Sequence, residues 1–265
     1  MLAAFAATGV LSAEAKLLVT VVDSKTGEVV NDLKASDFTV EDRGSPREVL
    51  AAEFTSKPVD AVLLVDASQV GEPVQGIAPG LIDQLGPKEQ MSVVAFHTTP
   101  DLVQDFTSSK DLLKKAIDRL RFGNDPDVVG AVYASADTGF QNAPSSFTQR
   151  HVILLVSPGK DFGGRVSPEA TIKLARKNGV SVYLISPRGY SRWIEELAKQ
   201  TGGAAFNVQE ITKLLKEPGA LGGRIFGGVR GNYTLTMAGN LALGEKLKIE
   251  VAGKRKVSIT SMPLD

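Results

Sequence analysis

An apolar run, Ala61 to Val65, ends in Asp66, and two positions on stands Ser68. A buried strand that terminates in a carboxylate and a hydroxyl is a common beginning for a metal or phosphate site, since hard cations take oxygen ligands. Gln69 and Val70 follow, where another hydroxyl would have enlarged the donor set. Two later loops carry related chemistry. Phe122-Gly123-Asn124-Asp125-Pro126-Asp127 precedes the apolar segment VVGAVYASAD, and Ser157-Pro158-Gly159-Lys160-Asp161 follows HVILLV. Asp125 and Asp127 would offer substitute carboxylates to Asp66 and Ser68, a set that favours Ca²⁺ because Ca²⁺ accepts looser geometry than Mg²⁺. Ser68, His97 and Asp161 would make a nucleophilic set, but no G-x-S-x-G elbow surrounds Ser68. The plainer reading of Asp66 and Ser68 is a pair at a strand end, hydrogen-bonded to loop amides.

The elements that would position these loops are legible as alternating textures. AVLLV (61–65), MSVVAF (91–96), HVILLV (151–156) and VSVYLI (180–185) are nearly continuous apolar runs, as expected of parallel strands covered on both faces. LVQDF (102–106) follows its predecessor too closely for a helical crossover and reads as an antiparallel edge strand. Helix signals fall between the strands. Ser108 with Asp111 resembles a capping box, Ser167-Pro168-Glu169 opens a helix that Asn178-Gly179 closes, and Ser191 can cap RWIEELAKQ. AAFNV gives a short last strand and QEITKLLKEPG a last helix; the glycine-rich ALGGRIFGGVRGN (220–232) reads as a flexible passage between domains. The expected class is α/β, a doubly wound, mostly parallel sheet with one antiparallel edge strand. On such sheets ligands sit beyond the carboxyl ends of the strands, where strand order reverses, which is where Asp66 and Ser157 fall.

The flanks read differently. Residues 16–56 and 226–262 have short, partly alternating strand runs separated by Gly and Asn, and the two are expected to pair as one small β unit around an α/β domain over 57–219. Residues 1–15 are small and apolar and end in Ala13-Glu14-Ala15, the pattern of a trimmed secretory leader; they are too short for a stable membrane span, and no later segment qualifies. Lys+Arg and Asp+Glu are both 30 in 265 residues, so nothing resembles a nucleic-acid footprint. With no Cys there is neither a disulfide framework nor a thiolate metal site. No nucleotide-binding glycine pattern occurs.

In this order the loops resemble the metal-ion-dependent adhesion site of von Willebrand factor type A domains: VDxSxS after the first strand, a GGT-like loop before a helix, and SDGxD after the fourth strand. LARKNGVSVYLI and IEELAKQTGGAAF are similar to the end of that domain. DLKASDFTVEDRGSPREVLAAEF and NYTLTM resemble the segments flanking it in secreted bacterial VWFA-related proteins. The resemblance implies a Mg²⁺ held by an Asp, two Ser hydroxyls, a Thr and a second Asp, with a partner carboxylate in the open position. Asp66 and Ser68 match the first two ligands. Val70 stands at the second hydroxyl position, no Thr occurs near Asp125 to Asp127, and Pro158 stands at the SDG acid. Two of the five positions remain.

The expectation is therefore a non-enzymatic binding or adhesion module, secreted, periplasmic or in the cell envelope, that meets an unknown protein partner without a cation. Asp161, Arg188 and Trp193 would contribute to that surface, since Trp and Arg are prominent in interfaces. The alternatives are metal-dependent adhesion through Asp66, Ser68, Asp125 and Asp127 with Mg²⁺ or Ca²⁺, and a hydrolase using Ser68.

Overall fold

The computed structural model describes residues 14–71, 76–143, 149–217, 219–241 and 247–264. The chain enters through β1 (Glu14–Asp23), passes a short 3₁₀ turn at Ala35–Asp37, and forms β2 (Phe38–Asp42), β3 (Ser45–Arg47) and β4 (Val49–Ser56). The α/β body follows as β5 (Val59–Asp66), α1 (Ala78–Ile82), β6 (Gln90–Phe96), β7 (Pro100–Thr107), α2 (Lys110–Asp118), α3 (Val128–Thr138), β8 (Arg150–Val156), α4 (Pro168–Lys177), β9 (Val180–Ser186), α5 (Arg192–Gln200), β10 (Ala205–Asn207), α6 (Val208–Leu214) and α7 (Ala220–Arg230). The chain returns through β11 (Gly231–Ala238), β12 (Leu247–Val251) and β13 (Val257–Leu264). Of the stretch expected to be a leader, residues 1–13 lie outside the described residues and Glu14 and Ala15 begin β1.

The central sheet has the order β10-β9-β8-β5-β6-β7, parallel except for β7, which pairs antiparallel with β6 at the edge. All eight residues of β5 are buried. Its odd side chains, with those of β8 and β9, pack under α1, α2, α6 and α7. Its even side chains Val62 and Leu64 pack under α3, α4 and α5. Two covered faces explain the unbroken apolar runs. The chain winds outward from β5 through β6 to β7, then crosses back to β8 on the other flank, so strand order reverses at β5.

The terminal segments build a second layer pair. β13-β1-β11-β4 form an antiparallel sheet, and β12-β2-β3 form a smaller one. Leu17, Val19 and Val21 alternate along β1 into a core with Phe38, Val40, Tyr233 and Leu235. The opposite face of the larger sheet rests on the α/β body. The Thr20 hydroxyl donates to the Gly202 carbonyl at 2.7 Å, Thr260 donates to Gly203, and Val22 joins the α/β core.

Helix signals held with three corrections. Ser191 stands at the N-cap of α5, but its side chain makes no capping hydrogen bond. Ser167 accepts from Ala170 N at 3.2 Å as expected, but α2 is capped by Ser109, not Ser108, accepting from Leu112 N at 3.4 Å. The largest correction is ALGGRIFGGVR. It is not a flexible passage but helix α7, and residues 226–230, expected in the β segment, belong to it. Its glycines permit close approach rather than freedom. A Cβ at Gly222 would stand 2.3 Å from the Gly80 carbonyl of the α1 turn, and one at Gly228 would meet Phe206 and Val22 at 3.0 and 3.1 Å. Gly222→Ala is thus expected to destabilise the fold by about 1–3 kcal/mol. The check is a urea unfolding curve; an unchanged midpoint would dismiss this contact.

Candidate functional site

Three loops meet beyond the carboxyl ends of β5 and β8. The Gln69 amide donates to the Asn124 carbonyl at 3.1 Å, and the Gly123 amide to the Ala67 carbonyl at 3.0 Å. Asn124 adopts a left-handed φ of 57°, which turns its carbonyl toward the first loop. The third loop joins through the Phe162 amide, which donates to the Pro126 carbonyl at 3.1 Å. The edge anticipated from sequence is assembled.

At its centre lies Asp66, fully buried with Ser68 and Ser157. Ser68 donates to Asp66 Oδ1 twice, from its amide at 3.0 Å and its hydroxyl at 2.6 Å. Ser157 donates its hydroxyl to Oδ2 at 2.7 Å, and its own oxygen accepts from the Gly159 amide at 3.0 Å. Gly71 closes over the carboxylate: a Cβ there would stand 2.0 Å from the Asp66 carbonyl oxygen and 2.6 Å from Oδ1. A buried charge is tolerated when hydrogen bonds solvate it, and here both oxygens are so solvated.

The other acids have different duties. Asp127 caps α3, accepting from Gly130 N at 2.8 Å. Asp161 accepts from Val128 N at 2.8 Å, on the same helix terminus. Burial pushes the Asp161 carboxyl above its ordinary value, the neighbouring Asp127 charge adds to this, and the Val128, Val129 and Gly163 amides oppose it. Two carboxylates thus serve the exposed N–H groups and dipole of α3. Asp125 is exposed to solvent.

This donor set does not fit the cation of the resembled site. Side-chain oxygens at the centre come from Asp66, Ser68 and Ser157, all at zero exposure, whereas Mg²⁺ keeps several waters. Val70 and Pro158 supply none, and Asp127 and Asp161 face helix amides. Among the described residues no three His, Cys, Asp or Glu gather as a metal-binding group. The Ser68 triad is not assembled either. Ser68 is buried and bonded to Asp66, His97 Nδ1 accepts from Thr98 N at 2.8 Å, and Asp161 faces α3.

Of the remaining expected surface residues, Arg188 is exposed, whereas Trp193 packs against the core under α5. Ser157 went unassigned in the sequence reading. Its signal was present: it follows Val156, which pairs with Val65, so its hydroxyl must fall beside Asp66. Phe162, 62% exposed between Asp161 and Gly163, was also unforeseen.

A von Willebrand factor type A domain model matches residues 60–218. No curated protein matches the chain. Among solved structures, proximal thread matrix protein 1 from the mussel byssus, with a zinc-occupied MIDAS motif, aligns at TM-score 0.53 and 16% identity, covering 78% of this chain and 50% of that one. A von Willebrand factor type A protein from Catenulispora acidiphila aligns at 0.50 and 12% identity over 96% of this chain and 74% of that one. An aerotolerance-related membrane protein from Bacteroides fragilis aligns at 0.50 and 12% identity over 63% of this chain and 96% of that one.

Proposed function

Because the chain belongs to the von Willebrand factor type A family, whose domains are protein-interaction modules, we propose that it is a non-enzymatic docking module that grips its partner without a cation. The observation that carries this reading is the buried Asp66, whose two oxygens are held by Ser68 and Ser157 where a metal shell would need open positions. Docking then rests on the loop edge itself, with exposed Arg188 and Phe162 as contact residues and the polar loops supplying complementarity. We place it in the envelope or outside the cell. The likeness of the flanking segments DLKASDFTVEDRGSPREVLAAEF and NYTLTM to those of secreted bacterial VWFA-related proteins supports that setting. Among the described residues no helix is long and apolar enough to cross a membrane.

Calorimetric titration tests the reading. Mg²⁺, Ca²⁺ and Mn²⁺ are each expected to give no binding heat with the parent protein. Micromolar binding that disappears in Asp66→Ala would overturn it and restore a rebuilt cation site.

A further inference from the structure

At the opposite end of the parallel sheet, where β5 and β8 begin, a cavity of about 380 Å³ opens between the α/β body and the terminal sheet. Lys57, Arg150, His151, Arg176 and Lys177 line it, and among the described residues no carboxylate does. Four permanent cations therefore face one concavity in a chain whose charges sum to zero. Among the described residues none of the four is in an ion pair.

Arg150 is the fixed point. Its guanidinium donates to the Val229 carbonyl at 2.9 Å, to Asn232 Oδ1, to Ser181 Oγ at 3.1 Å and to the Tyr183 hydroxyl at 3.2 Å. Every one of these acceptors is neutral. Its hydrogen bonds are satisfied, and none of them goes to a carboxylate. Lys57 and Lys177 are exposed, and Arg176 is half-buried. The walls also carry Leu18, Met262 and Leu264. The volume lies within the ordinary range for small-ligand sites, about 300–1,000 Å³, and is larger than a bare oxyanion needs.

We infer that this cavity binds a phosphate monoester, its phosphoryl group between Lys57, Arg176 and Lys177 and its apolar substituent against Leu18, Met262 and Leu264. A dianionic head suits several lysine and arginine donors at once. The inference does not depend on how the far edge meets a partner. A soluble ester and the headgroup of an anionic lipid share this chemistry.

The probes are phenyl phosphate, inorganic phosphate and neutral phenylmethanol, titrated by calorimetry at low salt, with phosphatidic acid vesicles as a separate sedimentation arm. Phenyl phosphate is expected to bind with a Kd of about 0.1–1 mM, inorganic phosphate more weakly and phenylmethanol not at all. Added salt should weaken binding, since the attraction is between charges open to solvent. The Lys57→Gln/Lys177→Gln double variant should lose at least about tenfold in affinity, equal to 1.4 kcal/mol, with an unchanged melting temperature. Sedimentation with phosphatidic acid but not phosphatidylcholine vesicles, lost in that variant, identifies a lipid source; soluble binding without sedimentation identifies a free ester. Silence of phenyl phosphate up to about 10 mM, or a double variant that binds as the parent does, would overturn the inference.

Discussion

Arg230→Met is expected to cost about 3–5 kcal/mol of unfolding free energy. Glu89 is 2% exposed, and its carboxylate accepts from Arg230 Nε at 2.8 Å, Gly86 N at 2.8 Å and Val59 N at 3.2 Å. Arg230 also donates to the Gln84 carbonyl at 2.6 Å and lies 4.7 Å from the Phe226 ring centroid. One side chain therefore ties the end of α7 to the α1–β6 turn and the start of β5. Burial pushes the Glu89 carboxyl upward, but the Arg230 hydrogen bond, the Gly86 amide and the Arg230 charge outweigh it and leave it below the ordinary 4.5. A lowered value means the pair stabilises the fold fully above that pH and fades as the solution is acidified through the folded value. Methionine keeps the packing and removes the charge, leaving a buried carboxylate without a cation. Urea unfolding at neutral pH measures the loss. Glu89→Gln in the Arg230→Met background should restore much of it, since the stranded charge is then gone. A loss under about 1 kcal/mol would mean that the pair behaves like an exposed one.

Asp60→Asn works in the opposite direction. Asp60 is fully buried at the start of β5, and neither oxygen has a hydrogen-bond partner of ordinary geometry. Burial pushes its carboxyl up to about 6; the Gln90 amide pulls back, and the Glu89 charge adds to the rise. With the folded value above the ordinary 3.8, the native state holds the proton more tightly than the unfolded chain does. Stability therefore falls as pH rises between 3.8 and about 6, and the whole penalty, about 3 kcal/mol, stands above that window. The asparagine variant has no proton to lose. It should exceed the parent by about 2–3 kcal/mol at mildly alkaline pH and converge with it near the unfolded value. An advantage that is constant across pH would point to packing and sink the electrostatic account. Because both predictions involve Glu89, the two changes should not add.

Much of this architecture was readable because one physical requirement repeats. Strands covered on two faces need unbroken apolar runs, and residues 61–65 of β5, 93–96 of β6, 152–156 of β8 and 182–185 of β9 supply them. Asp66 and Ser68 were readable for a related reason: polar side chains directly after such a strand can only stand at its mouth. Helix α7 was missed because four glycines in ALGGRIFGGVR argue against a helix by propensity. Leu221, Ile225, Phe226 and Val229 had nevertheless kept helical spacing, and contacts with Gly80, Phe206 and Val22 decided the outcome. The roles of Asp127 and Asp161 were also hidden, since a carboxylate near a strand end reads as a ligand until the neighbouring helix terminus is seen. The Glu89–Arg230 pair spans 141 positions, and no local pattern announces such a partnership.

The first and last strands among the described residues, β1 and β13, lie side by side. Lys16 of β1 faces Leu264 of β13, and the pairing runs on antiparallel to Asp23 and Val257. Tension applied between Lys16 and Leu264 would peel β13 from β1 one rung at a time, starting at Lys16, instead of shearing all rungs together. The α/β body would carry none of that load until the zipper had opened.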